Sequence, residues 1–304
     1  MKPPNFVHKI VPWYIKNDTL PHMKKLIYCT SVVIFLLSNT ASADIDSSDA
    51  FDQINNSFSA GFTVMHFNYR ENAQEVNSDL PGNIEDYGNA FGLALNFRNV
   101  FFQKLYTDLY GEYAVGKLQY DGFLMFPDKN DAYVPSKHKN TNNFANIDMK
   151  LGVILLNNTY FQIIPYGGLG FRYWTPDTFH TYYNFKALVG AKLHCALSDN
   201  LILSPYTNIG TTLYSHAKAK VYDKTDNYQG KANHKLGNKI IKEFGLEINY
   251  RLDHELFVVG TVSHTHFEYK KSAPQTVGTV KDLTEPNSKT NELRFTFGIR
   301  YGFM

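Results

Sequence analysis

The sequence predicts an all-β chain folded as an antiparallel up-and-down barrel of about ten strands. Three observations carry this: runs of apolar and polar residues alternating with a period of two, connections that alternate between long and short, and turn-forming residues in the short ones. Composition agrees, since 15% of the 304 residues are aromatic, with 21 Tyr and 23 Phe, types that favour strands and membrane interfaces. A net charge of +2 with no basic run excludes nucleic acid as a partner.

The amino-terminal region is separate from the barrel. From Met23 the chain reads MKKLIYCTSVVIFLLSNTASA: two lysines, an apolar stretch from Leu26 to Leu37, then Ala41, Ser42 and Ala43. That order is a secretory signal peptide over residues 23–43, cleaved between Ala43 and Asp44. Residues 1–22 lack periodicity, and a signal normally begins a protein, so they are expected to be an extra extension ahead of a true start at Met23. Without residues 1–43 the chain keeps 25 basic and 27 acidic side chains, a net charge of −2. Cys29 leaves with the signal, so Cys195 has no intrachain partner and no disulfide forms. Residues 44–56 form a short periplasmic segment, and 57–304 the barrel domain.

Strand candidates follow at 57–70, 89–98, 104–120, 143–156, 160–174, 183–195, 201–216, 238–250, 255–269 and 290–303. The connections between them run about 18, 5, 22, 3, 8, 5, 21, 4 and 20 residues. Short ones hold Asn157 and Asn158, Ser198 to Asn200, and Asp253 with His254, residues that tolerate hairpin geometry. Long ones, such as NAQEVNSDLPGNIEDYG and KSAPQTVGTVKDLTEPNSK, have loop composition. In the fourth run Ile147, Met149, Leu151 and Val153 oppose Asn146, Asp148, Lys150 and Gly152; in the eighth Phe244, Leu246, Ile248 and Tyr250 oppose Glu243, Gly245, Glu247 and Asn249. Pairing Tyr250 with about Glu255 across the turn places Phe257 and Val259 on the apolar face and His264, His266 and Glu268 on the polar one.

A two-faced barrel can be soluble, with the apolar face inside, or membrane-spanning, with that face on lipid. An even strand count, runs reaching the roughly nine to eleven residues a tilted spanning strand needs, and aromatic pairs near run ends favour the membrane. Those pairs are Phe67 and Tyr69, Phe171 and Tyr173, Phe267 and Tyr269, and Tyr301 and Phe303. With the leader, the alternating connections, the strand IPYGGLGFRYW (164–174) and the terminal ELRFTFGIRYGF (292–303), the chain resembles the bacterial outer-membrane β-barrel proteins, in the broad group of opacity-like, OmpA-like and small porin-family barrels. The resemblance covers the whole mature chain as an architecture. It implies an outer-membrane location, lipid and lipopolysaccharide as surroundings, and recognition of the last strand, with Phe295, Phe297, Ile299, Tyr301 and Phe303, by the barrel assembly machinery. Here Met304 follows the expected terminal Phe.

The polar face carries Asp108, Glu112, Asp148, Lys150, Arg172, Lys186, Lys192, Glu243, Glu247, Glu292, Arg294 and Arg300, both signs mixed. In a narrow barrel they are expected to pair as a plug; a thin channel is the alternative. The omptin proteases share a ten-strand count, and their resemblance requires paired Asp residues facing an Asp/His pair at the rim; neither Asp-x-Asp at a matching position nor Asp-x-His occurs. His264, His266 and Glu268, at spacing two, are either acid/base groups or hydrogen-bonding residues of a polar lumen; two ligands on one strand leave a metal site incomplete. No catalytic residue, cofactor or metal is therefore assigned. The expected working surface is the four long loops, suited to an extracellular protein or glycan.

Overall fold

A computed structural model describes residues 47–75, 82–126, 132–222 and 227–303. Ten strands form a closed antiparallel barrel: β1 (Ser57–Asn72), β2 (Asn83–Phe101), β3 (Leu105–Phe126), β4 (Ala132–Val153), β6 (Phe161–Thr175), β7 (His180–Ser198), β8 (Leu201–Tyr222), β10 (Ile240–Arg251), β11 (Leu256–Tyr269) and β14 (Ser288–Gly302). A two-residue strand β5 (Leu156–Asn157) extends the β4 edge, β9 (Tyr228–Leu236) pairs with the upper half of β8, and β12 (Gln275–Val277) and β13 (Val280–Leu283) form a separate two-stranded sheet ahead of β14. The ring closes where β14 pairs with β1, Gly302 opposite Ser57 and Lys289 opposite Arg70. Each strand of the ring thereby has a hydrogen-bonded neighbour on both sides and no sheet edge is left open, as a bilayer demands.

The apolar face is outside. Phe62, Phe91, Leu93, Ile147, Leu169, Val189, Phe244, Phe297 and Ile299 are each more than half exposed. A continuous belt of this kind has no place on a water-facing surface and is the lipid face of a membrane barrel. The terminal strand presents Phe295, Phe297, Ile299 and Tyr301 outward, and Phe303 stacks on Phe97 with ring centroids 5.8 Å apart. The leader and its junction at Ala43 and Asp44 lie outside the described residues.

Inward side chains follow a vertical order along β1: Ser57 and Ser59, then Gly61 and Thr63, then Met65, Phe67 and Tyr69, then Glu71. At the bottom sits a helix absent from the sequence reading, α1 (Ser47–Asn55), whose Ala50, Phe51 and Ile54 share one face and bury against Ile202 and Phe257. Its polar flank is satisfied too: Arg251 donates to Gln53 at 3.1 Å, and Asn55 bonds both Gln162 at 2.5 Å and His194 at 3.1 Å. Next comes a charged layer. Above it an aromatic layer of Phe67, Tyr69, Phe144, Trp174, Tyr182, Phe267 and Tyr269 fills the lumen.

Two expectations about β11 are corrected. Its turn pairs Arg251 with Phe257 and Tyr250 with Val258, not Tyr250 with Glu255. An odd change in register reverses every side chain. Phe257 and Val259 therefore point inward, whereas His264, His266 and Glu268 point outward, beside Leu293, Asn291 and Lys289 of β14. The aromatic residues Phe67, Tyr69, Phe267 and Tyr269 also turn inward instead of forming a girdle. The expected long loops are largely strand: β3 with β4, and β8 with β9, continue as two-stranded ribbons well beyond the apolar belt.

Candidate functional site

All twelve expected lumen charges lie inside the barrel, in the layer between α1 and the aromatic residues. Glu247 accepts two bonds from Arg98, at 2.8 and 2.5 Å, and one from Arg300 at 2.8 Å. Asp108 faces Arg98 at 3.4 Å and Lys192 at 3.5 Å and accepts from Tyr106 at 2.8 Å. Higher up, Arg294 bridges Glu112 at 3.0 Å and Glu292 at 2.9 Å, and Glu292 also pairs with Arg172. Lys186 meets Asp148 at 2.8 Å, and Lys150 lies over the rings of Tyr166 and Tyr206. Gly170 leaves room for the Lys186 pair, because a Cβ there would overlap Asp148 and Lys186. Glu243 lines a cavity of about 90 Å³ with Lys150, Arg98 and Arg300, roomy and polar enough to hold water.

The sequence reading omitted Arg98 from this network. The signal was available: Phe91, Leu93, Leu95 and Phe97 alternate outward, which sends Arg98 inward, where it is 4% exposed. Neither end of the layer is open among the described side chains. Phe51 and Ile54 below, and Phe67, Phe144 and Trp174 above, are all at most 2% exposed.

His264, His266 and Glu268 lie on the outer face of β11, away from the lumen. His266 sits 2.9 Å from Asn291 and 3.6 Å from Glu268, which also faces Lys239 and Lys289 on the outer surface. No group of three or more metal-ligating side chains occurs among the described residues.

The titratable groups that do converge are at the outer rim. A cleft of about 750 Å³ opens above Trp174 and Tyr182, walled by Glu71 of β1, Asp86 of β2, Asp177 and His180 of the β6–β7 turn, and Glu285 ahead of β14. Asp177 caps its turn by accepting the backbone N–H groups of Phe179 and His180, both at 2.6 Å, and holds the His180 imidazole at 2.9 Å. The Tyr182 hydroxyl donates to Glu285 and lies 3.4 Å from Glu71, which also accepts from Tyr69. Burial, with Glu285 nearby, pushes the Glu71 carboxyl up to about 8; burial and then Asp177 push Asp86 up to about 7. Burial opposes the charge on His180, but the hydrogen bond and charge of Asp177 outweigh it and hold the imidazole above its usual range. The pair Asp177-Thr178-Phe179-His180 escaped the sequence reading because its spacing is three, set by the turn and not by strand alternation.

Comparison with protein-family models and with curated proteins gives no match. Among solved structures, the outer membrane protease OmpT of Escherichia coli is 10% identical, with a TM-score of 0.54 over 87% of this chain and 99% of that one. The toluene transporter TodX of Pseudomonas putida is 9% identical, with a TM-score of 0.36 over 86% and 93%. Ail, the attachment invasion locus protein of Yersinia pestis, is 10% identical, with a TM-score of 0.27 over 81% and 99%. The OmpT superposition, the closed ten-strand ring and the outward apolar belt agree: this chain has the fold of the bacterial outer-membrane β-barrel proteins.

Proposed function

We propose that the protein resides in the outer membrane as a sealed barrel, without enzymatic activity, and works through its loop-side surface, where it contacts an extracellular protein or glycan. One observation carries this reading: the lumen is crossed at three successive levels, by α1, by paired charges around a small internal cavity and by aromatic rings, while the rim opens into a large cleft walled by acidic side chains. A lumen crossed in this way supports display and not passage. The lipid belt suits lipopolysaccharide and lipid contact, and Phe295 to Phe303 suit recognition during assembly. Cells displaying the intact barrel should bind host-cell or glycan surfaces, and replacing the β3–β4 ribbon tip (121–137) with a short turn should abolish that binding while heat-modifiable migration persists. Equal binding by both forms would overturn the reading.

A rim hydrolase is the second reading, favoured by the Asp177–His180 pair sharing the cleft with Asp86. A carboxylate-paired imidazole beside a second carboxylate is suited to proton transfer to or from a bound water. Hydrolysis of fluorogenic peptides or esters by the refolded protein, lost in His180→Ala, would replace the first reading with this one.

A further inference from the structure

Carboxylates rarely gather on a dry floor without a partner of opposite charge. Here four of them, Glu71, Asp86, Asp177 and Glu285, reach one cleft from four separate parts of the chain, above the tightly packed rings of Trp174 and Tyr182, whose centroids are 4.7 Å apart. Two acidic pairs result. Glu71 and Glu285 share the Tyr182 hydroxyl, and Asp86 lies near Asp177. His180 offsets Asp177, but no lysine or arginine lines the cleft among the described residues.

Asp86 gives an independent pointer. It is 5% exposed, it lines the cleft, and its Oδ1 accepts no hydrogen bond among the described residues. A buried carboxylate oxygen left unsatisfied is costly, and a donor arriving in the cleft would remove that cost. The same low-dielectric floor that penalises the bare carboxylate strengthens its attraction to a cation. A metal ion is a poor match, because the acids are spread around the walls and no metal-ligating group forms among the described residues. Groups that donate several hydrogen bonds and carry charge on a flexible stem match better, since they reach separate acids.

We propose that this rim cleft binds an alkylammonium ligand with Asp86 as the acceptor for one ammonium group and the Glu71–Glu285 pair for another; the ligand is either a free polyamine or the lysine side chains of a peptide. This rests on the reading of the loop side as the working surface and names the chemistry that surface recognises. Protons compete with the ligand for the same carboxylates, so binding releases protons. As pH rises from 6 to 8.5 Asp86 and Glu71 ionise, whereas His180, held up to about 9 against burial by Asp177, keeps most of its charge; Asp177, Glu285 and His138 face the same cleft. Tyr182 is pushed well above its usual range and Tyr120 up to about 12, so both phenols stay neutral throughout. An acid titrating near 7 is about one-tenth ionised at pH 6 and nine-tenths at pH 8, so affinity should rise about tenfold across that window.

The test is calorimetric titration of the full-length protein, refolded in detergent, with spermidine in one arm and trilysine in another, at pH 6.0 and 8.5. Saturable binding of either, at least about tenfold tighter at pH 8.5 and at least about tenfold weaker in Asp86→Asn, is the expected result. Spermidine alone would identify the free amine as the source, trilysine alone the peptide side chain. Glu268→Gln, on the outer surface, should bind as wild type does, and Glu285→Gln supplies a second cleft variant should Asp86→Asn fail to refold. No saturable binding in either arm, or binding insensitive to both cleft variants, would overturn the proposal. If amine binding failed while ribbon-dependent cell binding persisted, this inference would fall and the surface-barrel reading would stand.

Discussion

The charged layer can be tested by removing Arg98. Its guanidinium makes two bonds to Glu247 and faces Asp108 at 3.4 Å, and all three side chains are at most 5% exposed. In Arg98→Met, Glu247 keeps Arg300 at 2.8 Å and Asp108 keeps Lys192 at 3.5 Å, so neither carboxylate is wholly abandoned. The cost should fall at the lower end for breaking a buried pair, about 3 kcal/mol. Glu247→Gln is worse, because Arg98 and Arg300 would then crowd one neutral amide, and it should cost about 5 kcal/mol. The double variant Arg98→Met with Glu247→Met should cost at least about 2 kcal/mol less than the sum of the two single replacements by Met, since each removes the charge the other strands. Denaturant unfolding of refolded protein, followed by loss of heat-modifiable migration, measures all of these. If every single variant cost under about 1 kcal/mol, the charges would be solvated as on an open surface, and the sealed lumen would be refuted.

The lipid face and the rim give two further expectations. Phe297→Arg, in the middle of the outward belt, should cost about 2–4 kcal/mol in bilayer-folded protein, and a value near zero would put that face in water. At the rim, Glu71 and Asp86 are protonated more readily in the folded protein than in the unfolded chain, so their contribution to stability is fully present below about pH 4 and is lost as pH rises through about 7 for Asp86 and about 8 for Glu71. Resistance of the rim to proteolysis should therefore fall between about pH 4 and 8, level off above that, and stay level throughout in a protein carrying both Glu71→Gln and Asp86→Asn; a fall of equal size in that variant would contradict the assignment.

How much of this was legible follows from what each face must satisfy. Lipid accepts only apolar side chains, so every outward position between Phe91 and Phe97 or Ile147 and Val153 obeys the rule, and the lipid-facing set of these strands was legible in the alternation. The lumen imposes no such uniformity. Its lower levels are polar, but its upper level is aromatic, so Phe67, Tyr69, Phe267 and Tyr269 looked like lipid-facing residues although they fill the interior. The β10–β11 turn was the other failure: Leu252 and Asp253 fold back onto Leu256, which lengthens the turn and reverses β11. That one register error moved His264, His266 and Glu268 from the surface to the lumen. The helix α1 had a signal in Ala50, Phe51 and Ile54, spaced for one helical face, but nine residues hold together only because the barrel mouth buries them. The rim cleft was the least legible, since only Glu71 and Asp86 are brought together by neighbouring strands, while Asp177 and Glu285 come from distant parts of the chain.

The central claim is that this outer-membrane barrel is closed along its axis and acts from its rim. Planar-bilayer recording of the refolded wild-type protein tests it most directly: the expected trace is silent at all applied voltages, and a steady, reproducible open-channel conductance would contradict it.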